Sequence, residues 1–282
     1  MATYLKILKL NETYAIDNDK EPSAIKRLLL HHAHMEPHVF FSHLNDEMPK
    51  DDYKKFLKDV DCYIKHDKPV QHLIGHEEFF GYPFKVNEHV LIPRFETEEL
   101  VAYVLDYIDT VFPKGAKVSV LDVGTGSGCI ALTLAKENPN LVVTATDISH
   151  EALEVAKENA KTLNVDIRFL EGDCYAPIGD ERFDVIVSNP PYIPTSEAVM
   201  PMVEKHEPHV ALFGGTNGMD FYQTLLEEAS KHLKPKAMMA FEHAYDKAKM
   251  MKKLIKKTLP KQRIEQKKDM QGKDRMTFVF ID

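Results

Sequence analysis

From Lys117 onward the chain alternates short apolar runs with helical patterns, and no other feature restricts its architecture as much. Val118-Ser119-Val120-Leu121-Asp122-Val123 is nearly continuous in β-favouring residues, as expected of a strand covered on both faces. The loop Gly124-Thr125-Gly126-Ser127-Gly128 follows, then a helical pattern from Ile130 to Glu137. Residues 141–147 read as a second strand, and Ser149 is placed to cap a helix over 151–163. Residues 166–170 and 183–188 read as a third and a fourth strand. A helix carrying Phe221, Leu225, Leu226, Ala229 and Leu233 precedes a fifth strand at 238–241. The tail 276–281 is a strand, reached from 263–266 through a turn at Gly272. This order predicts a doubly wound, mostly parallel α/β sheet with a terminal hairpin. Ligands of such sheets bind outside the carboxyl ends of the strands.

The residues at that edge are chemically specific. Glycines after the first strand let the backbone turn sharply and a ligand approach closely. Asp147 ends the second strand about twenty residues further on, where an acid that accepts both ribose hydroxyls is expected. The two features point to an adenosine-type ligand. A dinucleotide fingerprint needs a third glycine where Cys129 stands, and a P-loop needs a lysine that is absent. Asp122 at the strand end would repel a pyrophosphate but suits a cationic ligand such as S-adenosylmethionine. Cys174 follows the third strand, either as a wall of the adenine pocket or as a small buried residue. The fourth strand delivers Asn189-Pro190-Pro191-Tyr192. The prolines stiffen the turn and leave it mostly carbonyl acceptors. Asn189 adds a side-chain carbonyl, and Tyr192 a flat face. Acceptors in one plane beneath an aromatic ring match a planar –NH2 group. Asp184, at the other end of that strand, reads as structural.

Upstream, residues 1–75 look helical. Tyr53, Phe56, Leu57, Val60 and Ile64 recur at helical spacing behind Asp51 and Asp52, while Pro22 and Pro37 are placed to open two more helices. His31, His32 and His34 read as a solvated helix face rather than a metal site. Residues 76–93 read as a hairpin connector in which two aromatic or β-branched runs flank Asn87-Glu88-His89. Arg94 stands alone beside Glu96, Glu98 and Glu99, either clamping a carboxylate or lying on the surface. Residues 94–282 form the α/β part. The net charge of -8 argues against a protein that lives on nucleic acid. Isolated Cys62, Cys129 and Cys174, with no signal-peptide core or membrane-length apolar run, lead to a cytoplasmic expectation.

Taken together, these stretches resemble the release factor glutamine methyltransferases. The resemblance runs over almost the whole chain, through Pro69 to Gly75, Phe79-Phe80-Gly81, Leu91 to Arg94, Leu121 to Gly128, Asn189 to Tyr192, Glu207-Pro208 and Ala211 to Gly215. It implies a seven-stranded, Rossmann-like S-adenosylmethionine-dependent methyltransferase domain behind a helical domain that helps hold the protein substrate. It also implies methylation of the side-chain amide nitrogen of the glutamine in the Gly-Gly-Gln loop of class 1 peptide chain release factors, a step bearing on translation termination. Asn189 and Pro190 would take the two amide N–H groups while Pro191 and Tyr192 flank them. Three positions depart from the family pattern: Phe95 where proline is usual, Pro235-Lys236-Ala237 where a Gly-Gly turn is usual, and His243-Ala244 after Glu242 where Ile-Gly is usual. The alternatives are methylation of exocyclic amines on DNA bases or of another protein glutamine, a nicotinamide-dependent oxidoreductase, and a non-catalytic docking module. Charge disfavours the DNA reading, Cys129 the oxidoreductase, and the intact Asn189, Asp147 and glycines an inactive site.

Overall fold

A computed structural model describes residues 2–281. The chain divides into two compact units. The first comprises residues up to His76 together with Val199–His206, and the second comprises Glu77–Ala198 and Glu207 onward.

The helical unit contains α1 (Tyr4–Ile16), α2 (Pro22–Ala33), α3 (Pro37–Phe40), α4 (Lys50–His66) and α5 (Val70–Ile74). Pro22 and Pro37 occupy first-turn positions, where the missing N–H costs nothing. Phe56, Val60 and Ile64 of α4 are buried against Ile25, Leu28 and Leu29 of α2 in one core. The histidine reading needs correction at one residue. His32 is buried and its Nε2 lies 2.7 Å from Asp59, so α2 turns this histidine toward α4 and not toward water.

The connector also differs in register. Its strands are β1 (His76–Phe79) and β2 (Tyr82–Lys85), joined at Phe80-Gly81, and 90–94 is not a strand. Phe80 and Gly81 both adopt positive φ, at 55° and 78°, the conformation of a two-residue turn that matches strand twist. The amide of Ile92 donates to the Glu207 carboxylate at 3.0 Å and thus has a partner outside any sheet. Asn159 ties β2 down: it accepts from the Lys85 amide at 2.7 Å and donates to the Ser127 carbonyl at 2.9 Å.

The α/β unit continues with α6 (Phe95–Val111), β3 (Val118–Val123), α7 (Cys129–Glu137), β4 (Leu141–Asp147), α8 (His150–Leu163), β5 (Arg168–Glu171) and β6 (Phe183–Ser188). After α9 (Pro201–His206) come α10 (His209–Leu212), α11 (Asp220–His232), β7 (Leu233–Glu242), α12 (Ala248–Thr258), β8 (Arg263–Lys268) and β9 (Asp274–Ile281). The seven-stranded sheet has the order β5-β4-β3-β6-β7-β9-β8. Strands β3 to β7 run parallel, whereas β9 is antiparallel to both β7 and β8. Side-chain alternation splits the core in two. Val120, Val185, Met238 and Phe278 face Leu100, Val104, Ile130 and Leu134, while Leu121, Ile186, Met239 and Val279 face Tyr222, Leu225, Met251 and Ile255. Covered faces on both sides account for the apolar strands read from sequence. Because β4 and β6 lie on opposite sides of β3, the strand order reverses there and a crevice opens at the carboxyl edge. Asp184 binds the Ser119 amide and hydroxyl, each at 2.7 Å, and Lys234 at 2.7 Å, a structural tie away from that edge. Among the described residues no helix is long and apolar enough to cross a membrane.

Candidate active site

At the crevice lies a cavity of about 340 Å³ lined by the glycine loop, Asp147, Cys174 and Asn189-Pro190-Pro191. The three loop glycines all have positive φ, 74°, 56° and 82°. A Cβ at Gly124 or Gly126 would meet nothing within 4 Å, so these faces border open space that a ligand can fill. At Gly128 it would lie 2.9 Å from Leu132 Cδ1 and 3.2 Å from Ala156 Cβ, so this glycine serves helix packing instead. Thr125 and Ser127 complete the loop's share of the lining.

Asp147 accepts the Gly126 amide at 2.8 Å and the Ser149 amide at 2.9 Å. Burial raises its pKa, and these amides oppose the rise. Each carboxylate oxygen keeps a lone pair for a hydroxyl donor. Asp122 is fully buried beneath the loop and accepts the Thr125 hydroxyl at 2.6 Å. Burial pushes its carboxyl up to about 7; the Thr125 hydroxyl opposes that rise, and the nearby Asp147 charge adds to it. Two acids in so little water favour a positively charged ligand. Cys174 lines the cavity with φ at 47°, and burial pushes its thiol up to about 12, which makes it a neutral wall. Arg94 lines the cavity too, and the carboxylate it clamps is the chain's own: Nη2 lies 2.5 Å from buried Glu207.

The loop after β6 is held from two sides. Ser188 Oγ donates to the Val123 carbonyl at 2.6 Å, joining β6 to β3. The Ile193 amide donates to the Leu212 carbonyl at 3.0 Å and the Gly214 amide returns to the Ile193 carbonyl at 2.9 Å. A Cβ at Gly214 would lie 2.3 Å from the Pro191 carbonyl oxygen, so only glycine permits this approach. Tyr192 is not among the lining residues. Its ring packs against the core around α11, and its hydroxyl lies 3.5 Å from Glu242 Oε1. Asn189 Nδ2 donates to Thr97 Oγ1 at 3.1 Å, and that hydroxyl donates to Glu242 Oε2 at 2.7 Å. Neither Thr97 nor Glu242 was singled out as a site residue from the sequence. Glu242 carried two signals, its place at the carboxyl end of β7 and its match to the glutamate that precedes Ile-Gly in the family pattern; Thr97 is hidden among the acidic residues that open α6.

A family model described as "Methyltransferase small domain" matches residues 106–211. The chain is 40% identical over 279 residues to a protein of Bacillus anthracis named release factor glutamine methyltransferase, covering 98% of each. The protein of that name from Bacillus subtilis is 40% identical over 285 residues, covering 100% of this chain and 99% of the relative. The one from Streptococcus pneumoniae is 42% identical over 243 residues, 85% of each. Among solved structures, a methyltransferase from Pyrococcus furiosus superposes with a TM-score of 0.53 at 24% identity, over 79% of this chain and 98% of that one. A methyltransferase complexed with SAH superposes with a TM-score of 0.50 at 12% identity, over 73% of this chain and 56% of that one.

Proposed function

The chain belongs to the release factor glutamine methyltransferase family, and on that premise we infer that its cavity joins a cofactor cradle to an amide clamp. The enzyme methylates a glutamine of peptide release factors, using S-adenosylmethionine. The finer substrate is the glutamine of the Gly-Gly-Gln loop in class 1 factors, and the helical unit contributes to holding that factor. One observation carries the reading: Gly126, Asp147, Asn189 and Pro190 border the same cavity.

The residues fit the cofactor. The open faces of Gly124 and Gly126 leave the loop backbone accessible, Asp147 offers acceptors for ribose hydroxyls, Cys174 and Thr125 form wall, and Asp122 supplies negative charge beneath the loop. S-adenosylmethionine, when bound, supplies a methyl group activated by a sulfonium. The protein's task is then orientation. A primary amide nitrogen is a poor nucleophile because its lone pair is delocalised into the carbonyl. Asn189 Oδ1 and the Pro190 carbonyl accept its two N–H groups, which fixes the amide plane and aims its π face. Such alignment is worth as much as ~7–11 kcal/mol. As positive charge grows on the nitrogen the same acceptors bind it more strongly, an interaction specific to the transition state. Pro191 stiffens the clamp, and Tyr192 packs behind it.

The test is incubation of the full chain with labelled S-adenosylmethionine and either purified release factor or DNA, followed by mass spectrometry. Label on the Gly-Gly-Gln glutamine is expected. Label on DNA bases, or on no release-factor glutamine, overturns the reading.

A further inference from the structure

A side-chain amide presents a nearly symmetrical outline, and its oxygen and nitrogen ends exchange by a half-turn. The clamp works only if the oxygen end of Asn189 faces the incoming N–H groups. Something must therefore choose between the two orientations.

The choice is made two residues away. Glu242 is 1% exposed at the end of β7, and Thr97 is 2% exposed in the first turn of α6. An ionised carboxylate only accepts hydrogen bonds, so the Thr97 hydroxyl must donate its single proton to Glu242 Oε2, at 2.7 Å. Thr97 Oγ1 then has only lone pairs left for Asn189, whose nearer end, at 3.1 Å, must be the donating Nδ2. Oδ1 is the end that remains for the substrate. The geometry points to Thr97 and Glu242 as positioning residues that set the polarity of the Asn189 amide. This inference rests on the reading of the cavity as an amide clamp.

Protonation of Glu242 would undo the choice. A carboxylic acid can donate to Thr97, freeing the threonine proton to bond an amide oxygen, so the flipped Asn189 becomes as good as the correct one. Several groups face Glu242. The Tyr192 hydroxyl is 3.5 Å from Oε1, and the Tyr222 hydroxyl from α11 donates to the Glu242 backbone carbonyl at 2.6 Å. Arg275 from β9 favours the charged form, Glu96 from α6 disfavours it, and the Cys129 thiol of α7 lies within reach of its field. Burial outweighs the favourable contacts and raises the Glu242 carboxyl to about 7, so the orienting form is gained as pH rises through neutrality.

Two independent readouts test this. The first is single-turnover methylation of release factor by full-length wild type, Thr97→Val, Thr97→Ser and Glu242→Gln from about pH 6 to 9, with thermal unfolding and cofactor affinity measured alongside. Thr97→Val should lose roughly 10–10² in rate, short of the 10²–10³ of a direct transition-state contact, with an unchanged cofactor Kd. Thr97→Ser should restore most of it. The wild-type rate should fall to about half and level off as pH drops below neutrality, and Glu242→Gln should remove that step. The second readout needs no substrate: the Asn189 side-chain –NH2 resonances in ¹⁵N spectra should titrate near neutral pH in wild type and not in Glu242→Gln. Failure of wild type to methylate release factor would sink the proposed function and leave the resonances to decide the present inference. A folded Thr97→Val with wild-type rate and pH profile, or amide resonances that ignore pH, would overturn it.

Discussion

Asn189 is the residue whose substitution best separates chemistry from folding. Asn189→Ala removes the acceptor and should lower kcat by roughly 10²–10³. Cofactor affinity should change little if, as proposed, it resides in the glycine loop and Asp147. Sequence alone favours Asn189→Asp as the milder change, since it keeps an acceptor. Thr97 reverses that order: its one proton is already given to Glu242, so an aspartate would set a second acceptor against the same hydroxyl, 3.1 Å away. Asn189→Asp should therefore be no more active than Asn189→Ala in single-turnover assays, and a clear advantage for it would contradict the hydrogen-bond order. Asp147→Ala makes a complementary prediction. It removes a charged acceptor worth about 1.5–3 kcal/mol per hydrogen bond, so the S-adenosylmethionine Kd should rise at least tenfold by calorimetry. Asp147→Asn, which keeps an acceptor for the Gly126 amide, should lose less. An unaltered Kd in both would remove Asp147 from the cofactor site.

At the scale of elements, the clamp is a loop made rigid by its neighbours. Two prolines restrict its dihedrals, and the segment after α10 packs its glycines directly on its backbone. Gly214 has no positive φ, so the effect of substitution there is purely steric. In Gly214→Ala the new Cβ would lie 2.3 Å from the Pro191 carbonyl, so the clamp must shift. Displacements of ~1 Å at reacting groups cost on the order of 10² in rate, and kcat should fall by about that much while cofactor affinity holds. Wild-type kcat in a correctly folded Gly214→Ala protein would show that this packing does not position the clamp. The hairpin shows how element boundaries escape sequence reading. The sequence places the turn at Asn87-Glu88-His89, whereas the structure turns at Phe80-Gly81; what decides this is the positive φ that Phe80 accepts and the side-chain amide of Asn159, 74 residues further along the chain from Lys85. His32 escaped for the same reason, since its burial depends on Asp59 in a different helix.

For the molecule as a whole, two pH windows follow from its buried acids. Asp122 and Glu242 have folded-state values near 7 against ordinary values of 3.8 and 4.5. Their contribution to stability is present in acid and is lost as pH rises through about 7. Asp67 behaves oppositely: Lys20 and Lys205 hold it down at about 2, so its contribution is lost as pH falls from 3.8 toward that value. The ligand-free protein should thus lose thermal stability from about pH 4 to 7, and Asp122→Asn should lessen the loss. A flat profile by scanning fluorimetry would refute the assignment. The helical unit makes a separate prediction. It exposes Leu10, Ile16 and Phe41 at 62%, 59% and 61%. If that unit holds release factor, Leu10→Ser and Phe41→Ser should raise KM for release factor several-fold and leave the cofactor Kd alone; unchanged KM would exclude these side chains from docking. What the sequence by itself determined is the α/β class, the strands from 118 to 188 and the gathering of the glycine loop, Asp147 and Asn189-Pro190-Pro191 at their carboxyl ends. These depend on local periodicity and on glycine and proline, whose restrictions act on the residue that carries them. Only the tertiary structure decided that Val199–His206 packs with the helical unit, through Met202 and the Lys205–Asp67 pair at 2.7 Å. Only it brought Thr97, Asn189 and Glu242 into one hydrogen-bonded row. Their sequence separations are 92 and 145 residues, and no local pattern encodes which hydroxyl will meet which carboxylate once three separate elements converge on one sheet edge.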